Sequence, residues 1–170
     1  MESNDIEQRL TRAILDAQMN KKTMAHEWGH VLYLNKIHVA PLFMAVVCYN
    51  NKTAGSVKYD RATFRNISSE DAAILFYCGP VAESLYTGRR VQISYTDRES
   101  VQTLTKAQKA RARKQATEFL APKIGTIKKL VAETQNHIIH RGPGPVDFSL
   151  MLIPNEIRKQ LKDVGEQVNF

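Results

Sequence analysis

Cysteine is nearly absent: Cys48 and Cys78 are the only two in 170 residues, and no C-x-x-C spacing occurs. That excludes a disulfide framework, and because both lie in apolar runs, buried reduced thiols are expected. Long hydrophobic runs are missing too. The longest, from Val39 to Tyr49, contains Pro41 and is about half of what a bilayer requires, so no membrane span is expected. The opening Met1-Glu2-Ser3-Asn4-Asp5 is acidic and polar, unlike a secretory leader. Together these point to the cytoplasm. There are no internal repeats and no low-complexity tracts. No G-x-x-x-x-G-K-[ST] loop is present, so the sequence offers no nucleotide-phosphate cradle.

The remainder has the balance of an ordinary globular protein, 43% hydrophobic and 24% charged. Its length suits a single domain over residues 1–170 with a buried core. The net charge of +7 comes largely from Lys106, Lys109, Arg111, Arg113, Lys114, Lys123, Lys128 and Lys129. These interleave with alanines and leucines at helical spacing and lack aromatic neighbours. A solvated helix face accounts for them better than a nucleic-acid surface.

Within this background one stretch carries chemistry: His26-Glu27-Trp28-Gly29-His30, an H-E-x-x-H pattern. On a helix, positions i and i+4 share a face one turn apart, so His26 and His30 can turn two imidazoles toward one metal ion. Glu27 projects about 100° away, where it can take a proton from a water at an open coordination position. That combination is the working part of a zinc peptide-bond hydrolase. Met24, Ala25, Trp28, Val31 and Leu32 give the helix an apolar side, Thr23 is placed to cap it, and Gly29 leaves room for a neighbouring chain.

Other elements follow in order. Ile6, Leu10, Ala13, Ile14 and Ala17 form the stripe of an amphipathic helix over about 4–18, in an N-terminal segment 1–20. Asn20-Lys21-Lys22 breaks the pattern, and the H-E-x-x-H helix is expected from about Thr23 to Leu34. Ala45–Tyr49 reads as a buried strand, Asn50–Gly55 as a turn and Ser56–Tyr59 as a half-exposed strand, giving a hairpin or small sheet. Ser68-Ser69-Glu70-Asp71 opens a helix that is apolar all round. Gly79-Pro80 should kink it and Gly88 should end it. Thr96-Asp97-Arg98-Glu99 has the spacing of a capping box before a long helix, which Pro122 interrupts. Residues 141–170 read as a stiff linker, Arg141 to Pro145, followed by a helix from about Asn155 to Val164.

A catalytic zinc site needs a third protein ligand. His38, His137 and His140 are candidates, but each sits at a helix end or loop where solvated histidine is common. Glu83 and Asp97 are better placed, at or near helices that must pack on the motif helix.

The order of segments resembles the peptidase domain of the FtsH-type metalloproteases, the ATP-dependent zinc proteases. His26–His30 looks like that family's H-E-A-G-H. Ala54-Gly55-Ser56-Val57-Lys58-Tyr59 is similar to its hairpin, and Gly79-Pro80-Val81-Ala82-Glu83-Ser84 through Gly88 to its G-R-x-A-E-E helix. Ile93-Ser94-Tyr95-Thr96-Asp97 resembles the approach to its metal-binding aspartate, and Ile153–Ile157 is a weaker match. The resemblance implies a mainly α (α+β), helical zincin-like domain with a small hairpin or sheet. It implies zinc on His26, His30 and Asp97, with Glu27 as general base. Glu83 then stands behind the ligands, holding a histidine or nearby backbone.

This chain departs from the family pattern at Trp28, Pro80 and Ser84, and lacks the Gly-Ala before the aspartate region. Because no phosphate-binding loop stands in this sequence, the resemblance does not carry over ATP-driven unfolding. The leading expectation is a zinc metalloendopeptidase acting on flexible or unfolded polypeptide. Its substrate would add as a strand along Gly55, Ser56, Val57, Lys58 and Tyr59. The alternative is a metal-binding regulatory or interaction module with little turnover. Expected partners are a polypeptide substrate and, with no motor in the sequence, a separate ATPase or a second copy of the chain.

Overall fold

The computed structural model describes residues 20–49, 52–135 and 146–170. Helix α1 covers 20–36. Then come β1 (Pro41–Tyr49), β2 (Lys52–Tyr59), α2 (Arg61–Phe64), α3 (Ser69–Thr87), α4 (Tyr95–Ser100) and α5 (Lys106–Leu120). A 3-10 turn (Ala121–Lys123) leads into α6 (Ile124–Gln135), β3 (Val146–Leu152) and α7 (Pro154–Asp163). The protein is mainly helical, with one small antiparallel sheet. Among the described residues no helix is long and apolar enough to cross a membrane.

Helix α1 is the spine of the core. Met24, Ala25, Trp28, Val31, Leu32 and Leu34 are buried along it, the recurrence a helix needs to bury one broad face. Trp28, fully buried, donates its indole N–H to Thr134 Oγ1 of α6 at 2.8 Å. Tyr33 donates its hydroxyl to Asp71 Oδ1 at the start of α3, at 2.7 Å. Gly29 is the crossing point with α3: a Cβ there would lie 2.4 Å from the Cys78 carbonyl oxygen and 2.6 Å from the Ala82 Cβ. The neighbouring chain for which Gly29 leaves room is α3.

The helix begins earlier than its sequence suggests. Asn20, Lys21 and Lys22 are already helical, so Thr23 is interior rather than a cap. Tertiary contact outweighs the polar run here, for Asn20 Oδ1 accepts a hydrogen bond from Thr53 of β2. At the other end, Val39 N donates to Leu34 O and His38 N to Asn35 O, with His38 at φ 59°. This paired closure satisfies the orphan carbonyls of the last turn. His38 is thus a helix-ending residue, its ring against the Asn169 carbonyl, and not a metal ligand.

Helix α3 starts as expected, with Ser68 Oγ accepting from Asp71 N and Glu70 and Asp71 favourably placed at the positive end of the dipole. From Ala73 to Ala82 every residue but the half-buried Phe76 is buried. It runs unbroken through Gly79-Pro80 to Gly88, whose φ of 69° ends it. The expected kink does not divide the helix. Pro80 removes one backbone bond, and burial on both sides holds the rest.

The Thr96–Glu99 capping box does not form the helix start. Ser94 caps instead, accepting from Asp97 N, because Ser94-x-x-Asp97 offers the same spacing two residues earlier. The helix it opens is short. The long one, α5, begins at a different capping box, Thr105 with Gln108. On α5, Lys106, Arg111 and Lys114 are exposed, as a solvated face requires.

The sheet has strand order β2-β1-β3, antiparallel throughout. Met44, Val46, Leu150 and Leu152 are buried with α1 and α3 in one core. β2 begins at Lys52, so the turn is shorter than the expected Asn50–Gly55, and β2 is an edge strand. β3 was not anticipated from the sequence. The helix over 4–18, the Arg141–Pro145 linker, His137 and His140 lie outside the described residues.

Candidate metal centre

Three side chains from two elements converge on one point. His26 and His30 come from α1, Asp97 from α4, and their ligating atoms lie within 4.8 Å of one another. Asp97 Oδ2 is 3.3 Å from His26 Nε2 and 3.8 Å from His30 Nε2. Tetrahedral zinc with bonds of roughly 2.0–2.1 Å spaces its ligand atoms about 3.3 Å apart; the Asp97–His26 pair matches that spacing and the Asp97–His30 pair is longer, so the group can hold a metal ion.

The far side of each imidazole fixes which nitrogen faces the centre. His30 Nδ1 lies 2.9 Å from the Leu75 carbonyl, to which it must donate, leaving the Nε2 lone pair inward. His26 Nδ1 lies 3.2 Å from Glu83 Oε2, with the same result. Such partners orient the ring and raise its basicity as a ligand. Asp97 is held in turn by Ser94, whose hydroxyl donates to Asp97 Oδ2 at 2.7 Å. The loop into α4 is pinned at Val91, whose N–H donates to Ser84 Oγ and whose carbonyl accepts from Arg113.

Beneath the histidines lies Gly79. A Cβ there would come within 2.4 Å of both His26 Nε2 and His30 Nε2, so any side chain would fill the space between the two donors. A glycine in the middle of a helix costs about 1 kcal/mol relative to alanine, and this one keeps the donor cradle open.

Glu27 points away from the imidazoles toward β2. It is 4% exposed, and a Cβ on Gly55 would sit 2.2 Å from its Oε1. The carboxylate therefore packs on bare backbone of the edge strand.

The electrostatics follow from burial and these partners. Burial pushes Glu27 up to about 7, with the His26 charge opposing. For His26, burial works against the charged form, but hydrogen bonds to Asp97 and Glu83 and the Glu27 charge prevail, raising it to about 10. Burial and the His26 charge lower His30 to about 4. Burial raises Asp97, yet its bonds with His26 and Ser94 and the nearby His30 bring it below its ordinary value. Without metal, then, the positive charge is favoured on His26, whose two ring nitrogens face Asp97 and Glu83.

These groups open onto a cleft of about 590 Å³, lined on one side by Thr53 to Tyr59 of β2. Of the residues singled out from sequence, His26, Glu27, His30, Asp97 and Glu83 come together here. Gly55, Ser56, Val57, Lys58 and Tyr59 form the wall. Ser94 and Gly79 were missed in these roles. Ser94 carried a signal, the S-x-x-D spacing; Gly79 carried none beyond being a glycine before proline. No protein-family model and no curated protein matches this chain. The group His26, His30 and Asp97 can hold a metal ion, and its chemistry is read from these residues alone.

Proposed function

We propose that this protein is a zinc-dependent metalloendopeptidase of the FtsH-peptidase type, hydrolysing peptide bonds in flexible or unfolded polypeptides. The observation that carries the proposal is the placement of Glu27. Its buried carboxylate lies beside a two-histidine, one-aspartate donor set and against the edge strand of an open cleft. Held by His26, His30 and Asp97, zinc would supply Lewis acidity to a carbonyl and lower the pKa of a water toward neutral.

The chain's own residues do the rest. His26, His30 and Asp97, which line the cleft, would hold the ion. Glu83, the Leu75 carbonyl and Ser94 keep those ligands oriented. Glu27 takes the proton of the attacking water and returns it to the leaving amine nitrogen; a carboxyl titrating near 7 is matched to both transfers. Substrate pairs with the side of β2 that has no strand partner among the described residues, whose backbone groups hold an extended chain with little demand on its side chains. Gly55 of that strand lies against Glu27.

The test is metal content alongside cleavage of casein or a quenched peptide, with and without a chelator. Stoichiometric zinc with chelator-sensitive cleavage supports the proposal. Bound zinc without cleavage of either substrate favours a regulatory module on this scaffold.

A further inference from the structure

Three cations stand around the cleft: Lys22, Lys58 and Arg61. Their positions are set by the elements that carry them. Lys22 is one helical turn before His26 on α1, so it shares the face of the metal ligands. The Thr53–Asn20 hydrogen bond puts the start of α1 beside the start of β2, while Gly55 meets Glu27 in the middle. Lys58 and Arg61 follow at the other end, three and six residues beyond Gly55. An extended chain rising about 3.3 Å per residue passes Lys22, the reacting centre and then Lys58 within five or six residues.

None of the three cations joins an ion pair among the described residues. Lys58 and Arg61 are exposed. The acids of the cleft are committed elsewhere: Glu83 to His26, Asp97 to the histidines and Ser94, Glu27 to its place against Gly55. Asp60, next to Arg61, caps α2 through the Ala62 N–H and the Thr63 hydroxyl. The cleft therefore presents positive charge at both ends.

Resting on the peptidase reading, we propose that the cleft selects polypeptide segments with acidic side chains on both sides of the bond held at the metal centre. Lys22 meets the acid at one end, and Lys58 and Arg61 meet the acid at the other. Opposite charges directly across a strand pair are favourable, and a partly desolvated rim screens them less than open water does.

The experiment uses zinc-loaded Glu27→Gln protein, which binds without cutting. It reads fluorescence anisotropy with three labelled peptides of one length, identical apart from Glu, Gln or Lys on both flanks. At low salt the Glu peptide should bind about tenfold tighter than the Gln peptide, from roughly threefold per exposed pair. The Lys peptide should bind weakest, and the spread should shrink as salt rises. Combining Lys22→Gln, Lys58→Gln and Arg61→Gln should abolish the difference between Glu and Gln peptides while zinc content stays at one per chain. Equal binding of the Glu and Gln peptides overturns the proposal. So does a preference that survives in the triple variant, which would assign it to the metal, or failure of all three peptides to bind. Turnover of the same peptides by the unsubstituted protein separates the two readings. Acid-selective binding without cleavage removes the hydrolytic function and keeps the selectivity; cleavage without charge preference does the reverse.

Discussion

Gly55 and Glu27 are in backbone-to-carboxylate contact: no side chain at residue 55 fits without moving Glu27, since its Cβ would come 2.2 Å from Glu27 Oε1. Gly55→Ala should therefore displace the base while leaving the donor set intact. A misplacement of about 1 Å at a reacting group costs on the order of 100-fold in rate, and that is the fall in kcat expected, with zinc retained. Glu27→Gln removes the base itself and should cost on the order of 100- to 10,000-fold. Peptidase assays with parallel metal analysis check both. A Gly55→Ala protein as active as the parent would show that Glu27 does not act from this position.

Metal retention separates ligand from support. Asp97→Ala, His26→Ala and His30→Ala each remove a donor and should abolish stoichiometric zinc. Glu83→Ala removes only the partner of His26 Nδ1 and should weaken affinity about 10- to 100-fold, keeping most of the zinc when the metal is in excess. Gly79→Ala keeps every ligand yet puts a methyl within 2.4 Å of both Nε2 atoms, so it too should lose zinc. Competition against a chromophoric chelator measures all five. Full retention by Asp97→Ala with loss in Glu83→Ala would exchange the two carboxylates' roles.

Much of this arrangement was legible because it is local. The i, i+4 histidines, the intervening glutamate, the cap at Ser68 and the stop at Gly88 are each decided within one helix. Residues that meet across the chain were harder. Asp97 could be preferred over Glu83 only by resemblance, since no spacing rule links α4 to α1 over about 70 positions. Two overlapping capping patterns, at Ser94 and Thr96, compete at the start of α4, and the sequence does not show that Ser94 must also hold a ligand. β3 carries an alternating Val146, Phe148, Leu150 and Leu152, a strand signal masked by the glycine–proline run before it. Gly79 reads as part of a helix kink until the two imidazoles above it are seen.

Metal binding should release protons. Above pH 4 His30 is already neutral, but His26 stays protonated up to about pH 10 and must lose that proton to ligate. Below its pKa, zinc affinity should rise about tenfold per pH unit, with about one proton released per ion. Near pH 7 Glu27, half-protonated through burial, adds a further fraction as the arriving charge favours its ionised form. Titration calorimetry at pH 7 in buffers of different ionisation enthalpy measures the number. A value near zero would mean that His26 is neutral before the metal arrives.

Trp28 should matter to stability and not to chemistry. It is fully buried and donates to Thr134 Oγ1, linking α1 to α6. Trp28→Phe leaves a cavity and removes that bond, at a cost of about 1–3 kcal/mol. Chemical denaturation should show this loss, while zinc stoichiometry and kcat per folded molecule stay near the parent's. A fall in kcat without a change in stability would place Trp28 in the site's own machinery.

The last expectation concerns access. The donor atoms are nearly closed off, the histidine and Asp97 side chains being only 12–13% exposed, and under the proposed function the reacting bond reaches them as an extended chain along β2. A folded domain offers such a chain only when it opens locally, and the free energy of that opening adds directly to the barrier. A segment whose opening costs about 4 kcal/mol is available roughly one part in 1,000 of the time, so its cleavage should slow by that factor. The sequence contains no phosphate-binding loop with which to couple ATP to forced opening. Casein and short peptides should therefore be cut, a tightly folded domain spared, and ATP should change neither rate for the purified chain. Destabilising the folded substrate by point mutation should then raise its cleavage in proportion to its open population. Equal cutting of the stable and destabilised domains, or stimulation by ATP alone, would show that substrate enters by another route.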